Sequence, residues 1–147
     1  GTRIEEKQAK IEVGPLPMVY GVPFQVKQLV TNLISNALKY TAPGVPPRIV
    51  VTGSVVSGSD ITVPGADRDE AYTKISVADN GIGFDAKYAT KIFELFQRLH
   101  STNVYSGTGI GLALCKKIVQ NMKGMITAES QPGKGSVFSF YIPVFKM

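Results

Sequence analysis

TKISVADNGIG, residues 73–83, carries a β-branched run straight into a turn that holds Asp79, Asn80, Gly81 and Gly83. The first part reads as a strand, and the Asn-Gly pair suits the positive φ of a tight turn. The turn itself has two readings. It is a plain hairpin connection, or it is a place where a flat ligand lies against the backbone at Gly81, Ile82 and Gly83, beside one carboxylate. In the second reading Asp79 accepts a hydrogen bond from an exocyclic amino group such as that of adenine.

Upstream of this turn, a long helix is expected to start near Pro23 and to end before the Pro43-Gly44 breaker. At about 100° per residue, Asn32, Asn36, Lys39 and Tyr40 fall within an arc of roughly 100°. Val26, Leu29, Val30, Leu33, Ile34 and Ala37 sweep the adjoining arc, so the polar stripe borders the core side. Such a stripe is a partly solvated helix face, or the wall of a cleft in which an amide oxygen and a lysine hold Mg²⁺ and anionic oxygens.

Downstream, GTGIG at 107–111 runs directly into helix-forming Leu112-Ala113-Leu114. Free backbone N–H groups and the positive end of a helix coincide there, which suits phosphate. Two rival motifs fail on spacing. A dinucleotide fingerprint in register with Gly107 and Gly109 needs Gly or Ala at 112, where Leu112 stands. A Walker loop ending at Gly133-Lys134 needs glycine at 128, where Ala128 stands, and Ser or Thr at 135, where Gly135 stands. Between the two glycine turns, Phe93 and Phe96 at i and i+3 read as core packing. Arg98 is either a solvated cation or a charge-assisted donor to a terminal phosphate.

The remaining segments complete the architecture. Strands are expected at 11–13, 18–20, 48–56, 125–130 and 136–142, and helices around 86–93 and from about 109 to 122, stopping at Lys123-Gly124. Residues 57–70 form a Gly, Ser and Asp-rich surface excursion, and Gln131 to Gly135 a turn. Residues 1–10 read as the end of an upstream helix and linker, with one domain over 11–147. The class is α+β, a mixed sheet with helices layered on one side.

Composition narrows the functions. With 147 residues, 44% hydrophobic and 18% charged, the chain suits a single globular core. No apolar run approaches the roughly 18 residues of a membrane span. Despite a net charge of +5, the basic residues are scattered, with Lys116-Lys117 the longest run in view, so nucleic acid is not an expected partner. Cys115 is the single cysteine and His100 the single histidine, which excludes an internal disulfide, a cysteine-based zinc site and an internal Ser-His-Asp arrangement. Cys115 reads as a small buried hydrophobe on a helix. Gly1 at the start, with no signal-peptide pattern, reads as a trimmed fragment.

Four segments in order now resemble one family. QLVTNLISNALKYT at 28–41, DNGIGF at 79–84, IFELFQRLH at 92–100 and GTGIGLALCKKIV at 107–119 are similar to the N, first glycine, F and second glycine boxes of sensor histidine kinase catalytic domains. That family sits in the ATPase superfamily with gyrase, Hsp90 and MutL. RLHS and YSGTGIGLA look most like the phytochrome-related and hybrid kinases.

The resemblance implies a Bergerat-type two-layer α/β sandwich, with a mainly antiparallel sheet and an ATP lid at about 97–108. By similarity, Asn36 coordinates Mg²⁺, Asn32 supports it, Lys39 approaches the phosphates and Tyr40 packs along the nucleotide. Asp79 binds the adenine amino group, with Gly81, Ile82 and Gly83 shaping that pocket. Gly107, Thr108, Gly109, Gly111 and Leu112 frame the phosphate end, and Arg98 helps at the γ-phosphate. Hydrolytic relatives carry glutamate where this chain has Asn32, which cannot accept a proton at neutral pH, so transfer to a separate acceptor is implied. The acceptor is a histidine on a dimerisation and phosphoacceptor domain of the same parent protein, a homodimer, with a response-regulator receiver domain served indirectly. The domain is expected in the cytoplasm without direct membrane contact. A non-catalytic nucleotide-binding regulatory or scaffold module is the alternative. Val22, Leu95 and Val137 depart from the family pattern, and Val137 is the position where a polar contact near adenine is expected to be missing.

Overall fold

The computed structural model describes residues 9–17, 23–94 and 110–144, with the side chains of Pro23, Phe24 and Ile110 not described. The expected strand at 18–20 and the expected lid lie outside the described residues. A five-stranded sheet is built from β1 (Lys10–Val13), β2 (Arg48–Ser57), β3 (Ala71–Asp79), β4 (Met125–Ser130) and β5 (Ser136–Pro143), in the order β1-β2-β3-β5-β4. β1 pairs with β2 in parallel, and every other pairing is antiparallel. Among the described residues two α-helices, α1 (Pro23–Lys39) and α2 (Ile110–Asn121), pack on one face. The result is the expected α+β two-layer sandwich.

Alternation along the strands selects the face that meets the helices. Ile49 and Val51 of β2, Ile75 and Val77 of β3, and Phe138, Phe140 and Ile142 of β5 are buried against Leu29, Leu33 and Ala37 of α1 and Cys115, Ile118 and Val119 of α2. Leu29, Leu33 and Ala37 recur every four residues, which is why α1 lays one stripe on the sheet. The opposite face is more polar: the Ser76 and Ser139 hydroxyls pair at 2.7 Å, and the Lys74 ammonium sits 5.6 Å from the Tyr141 ring centroid.

One expected element differs. Residues 86–93 form two short 3-10 turns, Ala86–Tyr88 and Lys91–Phe93, in place of one helix. Asp85 caps the first by accepting from the Lys87 N–H at 3.0 Å. The second buries Ile92 and Phe93. Phe93 meets Phe138 edge-on at 6.0 Å, and Phe84 meets the same ring at 6.1 Å. Docking those rings on β5 outweighs the modest helix propensity of so short a segment.

The 57–70 excursion is closed at its neck by the Gly58 N–H donating to the Glu70 carbonyl at 2.7 Å. Inside it, the Asp67 N–H donates to the Tyr72 hydroxyl at 2.9 Å, so the loop covers a tyrosine that is buried on β3. α2 ends as expected: Lys123 has φ 61°, and the Gly124 N–H returns to the Val119 carbonyl at 2.7 Å.

Candidate nucleotide site

Asp79 ends β3, and the β3–β5 register places Ser136 directly across from it. Its Oδ1 accepts from the Gly81 N–H at 2.8 Å, and the Ser136 N–H also bonds the carboxylate. Burial pushes the carboxyl up from its ordinary 3.8 to about 6, against those two N–H groups, which favour the ionised form. A carboxylate held this way is an oriented acceptor that has already lost much of its water.

The turn that follows is pinned on three sides. Asn80 Oδ1 accepts from the Arg48 N–H at 2.7 Å and its amide donates to the Pro46 carbonyl at 3.2 Å, fastening the turn to the start of β2. The Ile82 N–H donates to the Tyr40 carbonyl at 2.9 Å, and the Ile82 carbonyl accepts from the Gly133 N–H at 2.7 Å. A Cβ at Gly81 would lie 2.3 Å from the Tyr40 carbonyl oxygen; one at Gly83, where φ is +68°, would lie 2.0 Å from the Gln131 carbonyl oxygen. Both glycines therefore admit neighbouring backbone, from the end of α1 and from the 131–135 turn.

Ser130 and Ser136 are functional candidates that the sequence reading passed over. The Ser130 hydroxyl accepts from the Phe84 N–H at 2.8 Å, donates to the Gly135 carbonyl at 2.7 Å and pairs with the Ser136 hydroxyl at 2.9 Å. A cavity of about 400 Å³ opens here, lined among others by Asp79, Ala86, Ala89, Ser130, Ser136 and Val137. That volume falls in the range of small-molecule sites. The signal for Ser130 facing Ser136 was present, since the two flank the 131–135 turn. The pairing of Ser136 with Asp79 was not legible, because it depends on which strand lies beside β3.

The α1 candidates stand outside the lining of that cavity. Asn32, Asn36 and Tyr40 are half-buried and Lys39 is exposed. Asn32 hydrogen-bonds the Cys115 thiol, which burial pushes up from its ordinary 9.0 to about 12 despite that bond. Cys115 is fully buried, as expected. At the start of α2, Gly111 is exposed, whereas the Leu112 side chain belongs to the core. Arg98, Gly107, Thr108 and Gly109 lie outside the described residues.

A family model described as histidine kinase-, DNA gyrase B- and HSP90-like ATPase matches residues 21–146. The chain belongs to that ATPase family. It is 44% identical over 142 residues to the phytochrome-like protein Cph1 of Synechocystis sp., covering 97% of this chain and 17% of that protein. It is 34% identical over 145 residues to the adaptive-response sensory kinase SasA of Synechococcus elongatus, covering 98% of this chain and 34% of the relative. The chain thus spans a minor part of these relatives. Among solved structures, full-length ShkA in complex with AMPPNP superposes with a TM-score of 0.73 at 27% identity, over 97% of this chain and 27% of the other. The catalytic domain of histidine kinase ThkA, nucleotide-free, gives 0.68 at 26% identity, over 97% and 84%. These likenesses place the chain among the histidine kinase catalytic domains of the ATPase family.

Two further features bear on the chemistry expected of this ATPase domain. Ser136 is the cross-strand partner of Asp79 and adds a polar side chain beside Val137 in the lining of the cavity. Among the described residues no cluster of three His, Cys, Asp or Glu could hold a metal. The donor set fits Mg²⁺ in another way, since Mg²⁺ is commonly bound through one or two protein oxygens with phosphates and water completing its shell. The half-buried Asn36 carries an amide oxygen of that chemical type. Among the described residues, no helix is long and apolar enough to cross a membrane.

Proposed function

We propose that this ATPase-family domain binds Mg²⁺-ATP and donates the γ-phosphoryl group to a histidine on a separate dimerisation and phosphoacceptor domain of its parent protein. The observation that carries the reading is the Asp79 carboxylate, held by the Gly81 and Ser136 N–H groups beside a cavity that suits a nucleobase. Asp79 accepts from the adenine amino group, while Gly81, Ile82 and Gly83 hold that end of the site in shape. Asn36 offers its amide oxygen to Mg²⁺, which when bound neutralises charge on the phosphates. Asn32 supports Asn36 from one turn earlier, Lys39 reaches the phosphates from its exposed position, and Tyr40 flanks the nucleotide. Gly107, Thr108, Gly109, Gly111 and Leu112 present backbone to the phosphate end, and Arg98 meets the γ-phosphate.

In the transfer, an imidazole nitrogen of the acceptor bonds to the γ-phosphorus, the bond to the bridging oxygen breaks, and ADP leaves. The domain contributes positioning and charge stabilisation. Asn32 cannot take a proton from water, which favours transfer over hydrolysis. The parent acts as a homodimer in the cytoplasm, with a response-regulator receiver domain taking the phosphoryl group from the histidine.

The test mixes the purified domain, Mg²⁺-ATP labelled at the γ-phosphate and the parent's histidine-bearing domain. An acid-labile label on the partner's histidine is expected. Nucleotide binding without any such label would leave a nucleotide-reading module and defeat the transfer reading.

A further inference from the structure

The hydroxyl protons around Asp79 can be assigned from the hydrogen-bond geometry. Ser130 has one hydroxyl proton, and the Gly135 carbonyl takes it at 2.7 Å. Its oxygen then accepts, from the Phe84 N–H at 2.8 Å and across the 2.9 Å contact with Ser136. The Ser136 hydroxyl is therefore the donor in that contact. With its only proton committed, the Ser136 oxygen has nothing but lone pairs to offer the cavity that Ser130, Ser136 and Asp79 all line. Ser136 is 8% exposed and sits opposite Asp79, so its hydroxyl is held by protein and not by bulk water.

We propose that Ser130 is a positioning residue for base selection: by taking the Ser136 proton, it makes Ser136 a second acceptor beside Asp79. Two acceptors together match an amino group, as at position 6 of adenine, and oppose a carbonyl oxygen in the same place. The inference rests on the ATP reading above. Its separate content is that selectivity against 6-oxo purines depends on a serine that acts through its neighbour.

Dissociation constants for ATP and inosine triphosphate, which share their phosphates and differ at the base edge, test it in the intact domain. The wild-type domain is expected to prefer ATP. In Ser130→Ala the Ser136 hydroxyl is free to turn and donate to a 6-oxo group, so the ratio of the two constants falls roughly 3- to 10-fold, the worth of one neutral hydrogen bond. Ser130→Thr, which keeps the hydroxyl, restores the ratio. Ser136→Ala lowers it on its own, and the double variant goes no lower. Equal weakening of both nucleotides in Ser130→Ala, with the ratio unchanged, means a purely structural role and overturns the inference. An unchanged ratio in Ser136→Ala overturns it too, even where Ser130→Ala does not fold. A wild-type domain that binds ATP without preference overturns this inference together with the Asp79 contact to the amino group and leaves ATP binding itself standing, whereas one that binds no ATP defeats the ATP reading beneath it.

Discussion

The Ile82 N–H donates to the Tyr40 carbonyl at 2.9 Å, joining the glycine turn after β3 to the residue that follows α1. This bond couples the two walls of the proposed site, the asparagine helix and the Asp79 turn, through backbone. Because Gly81 lies against the same carbonyl, the coupling depends on a residue without a side chain.

Gly81→Ala places a methyl 2.3 Å from the Tyr40 carbonyl oxygen, so the turn must move away from α1. A loss of about 1–3 kcal/mol in unfolding free energy is expected, as for other overpacked sites, together with weaker ATP binding. Urea denaturation and ATP titration of the variant measure both. Wild-type values for each would show that the contact is not constraining.

Asp79→Asn exchanges a charged acceptor for a neutral one. ATP affinity is expected to fall by roughly 10- to 150-fold, equivalent to about 1.5–3 kcal/mol. Since the wild-type carboxyl titrates near 6, its ATP affinity should also drop as the pH falls through that value. The variant should lack this component, and phosphate titration of the nucleotide, common to both proteins, cancels in the comparison. Identical pH profiles would remove Asp79 from the base contact.

The same substitution should stabilise the nucleotide-free fold. The folded carboxyl is raised from 3.8 to about 6, so the fold prefers it protonated. Its stabilising contribution is complete below the unfolded value near 4 and is lost as pH rises through about 6. About two pKa units correspond to about 3 kcal/mol at neutral pH, which the uncharged Asn avoids while its amide oxygen still accepts from Gly81. Thermal unfolding of both proteins between pH 4 and 7 checks the sign: a variant less stable than wild type at pH 7 contradicts it.

Asn36→Ala should lower the affinity for nucleotide in the presence of Mg²⁺ and change it little in EDTA, with the circular dichroism spectrum preserved because the side chain is only half-buried. An equal response under both conditions would dissociate Asn36 from the metal.

Phe138→Ala removes the ring on which Phe84 and Phe93 both rest. A loss of about 3–5 kcal/mol is expected, a large part of the 5–15 kcal/mol typical of a domain. The 86–93 segment should lose protection from hydrogen exchange before the sheet does. Uniform loss of protection across the domain would show that the segment and the sheet open together.

The sequence by itself determined the helix from Pro23, the strands of the sheet, the end of α2 at Lys123-Gly124 and the ATPase family. These are set by local periodicity, by breakers and by short ordered motifs, all of which act over a few residues. Tertiary structure decided what those signals do not encode. The 86–93 segment follows Phe93 down to Phe138, because ring burial outweighs a short helix. The polar neighbour of Asp79 is Ser136, because β5 and not β4 lies beside β3. Ser130 reaches Phe84, 46 residues earlier, beside a turn whose backbone fills the space left by Gly83. Hydrogen-bond partners brought together by strand order are separated by dozens of residues, so their meeting depends on the packing of the whole sheet.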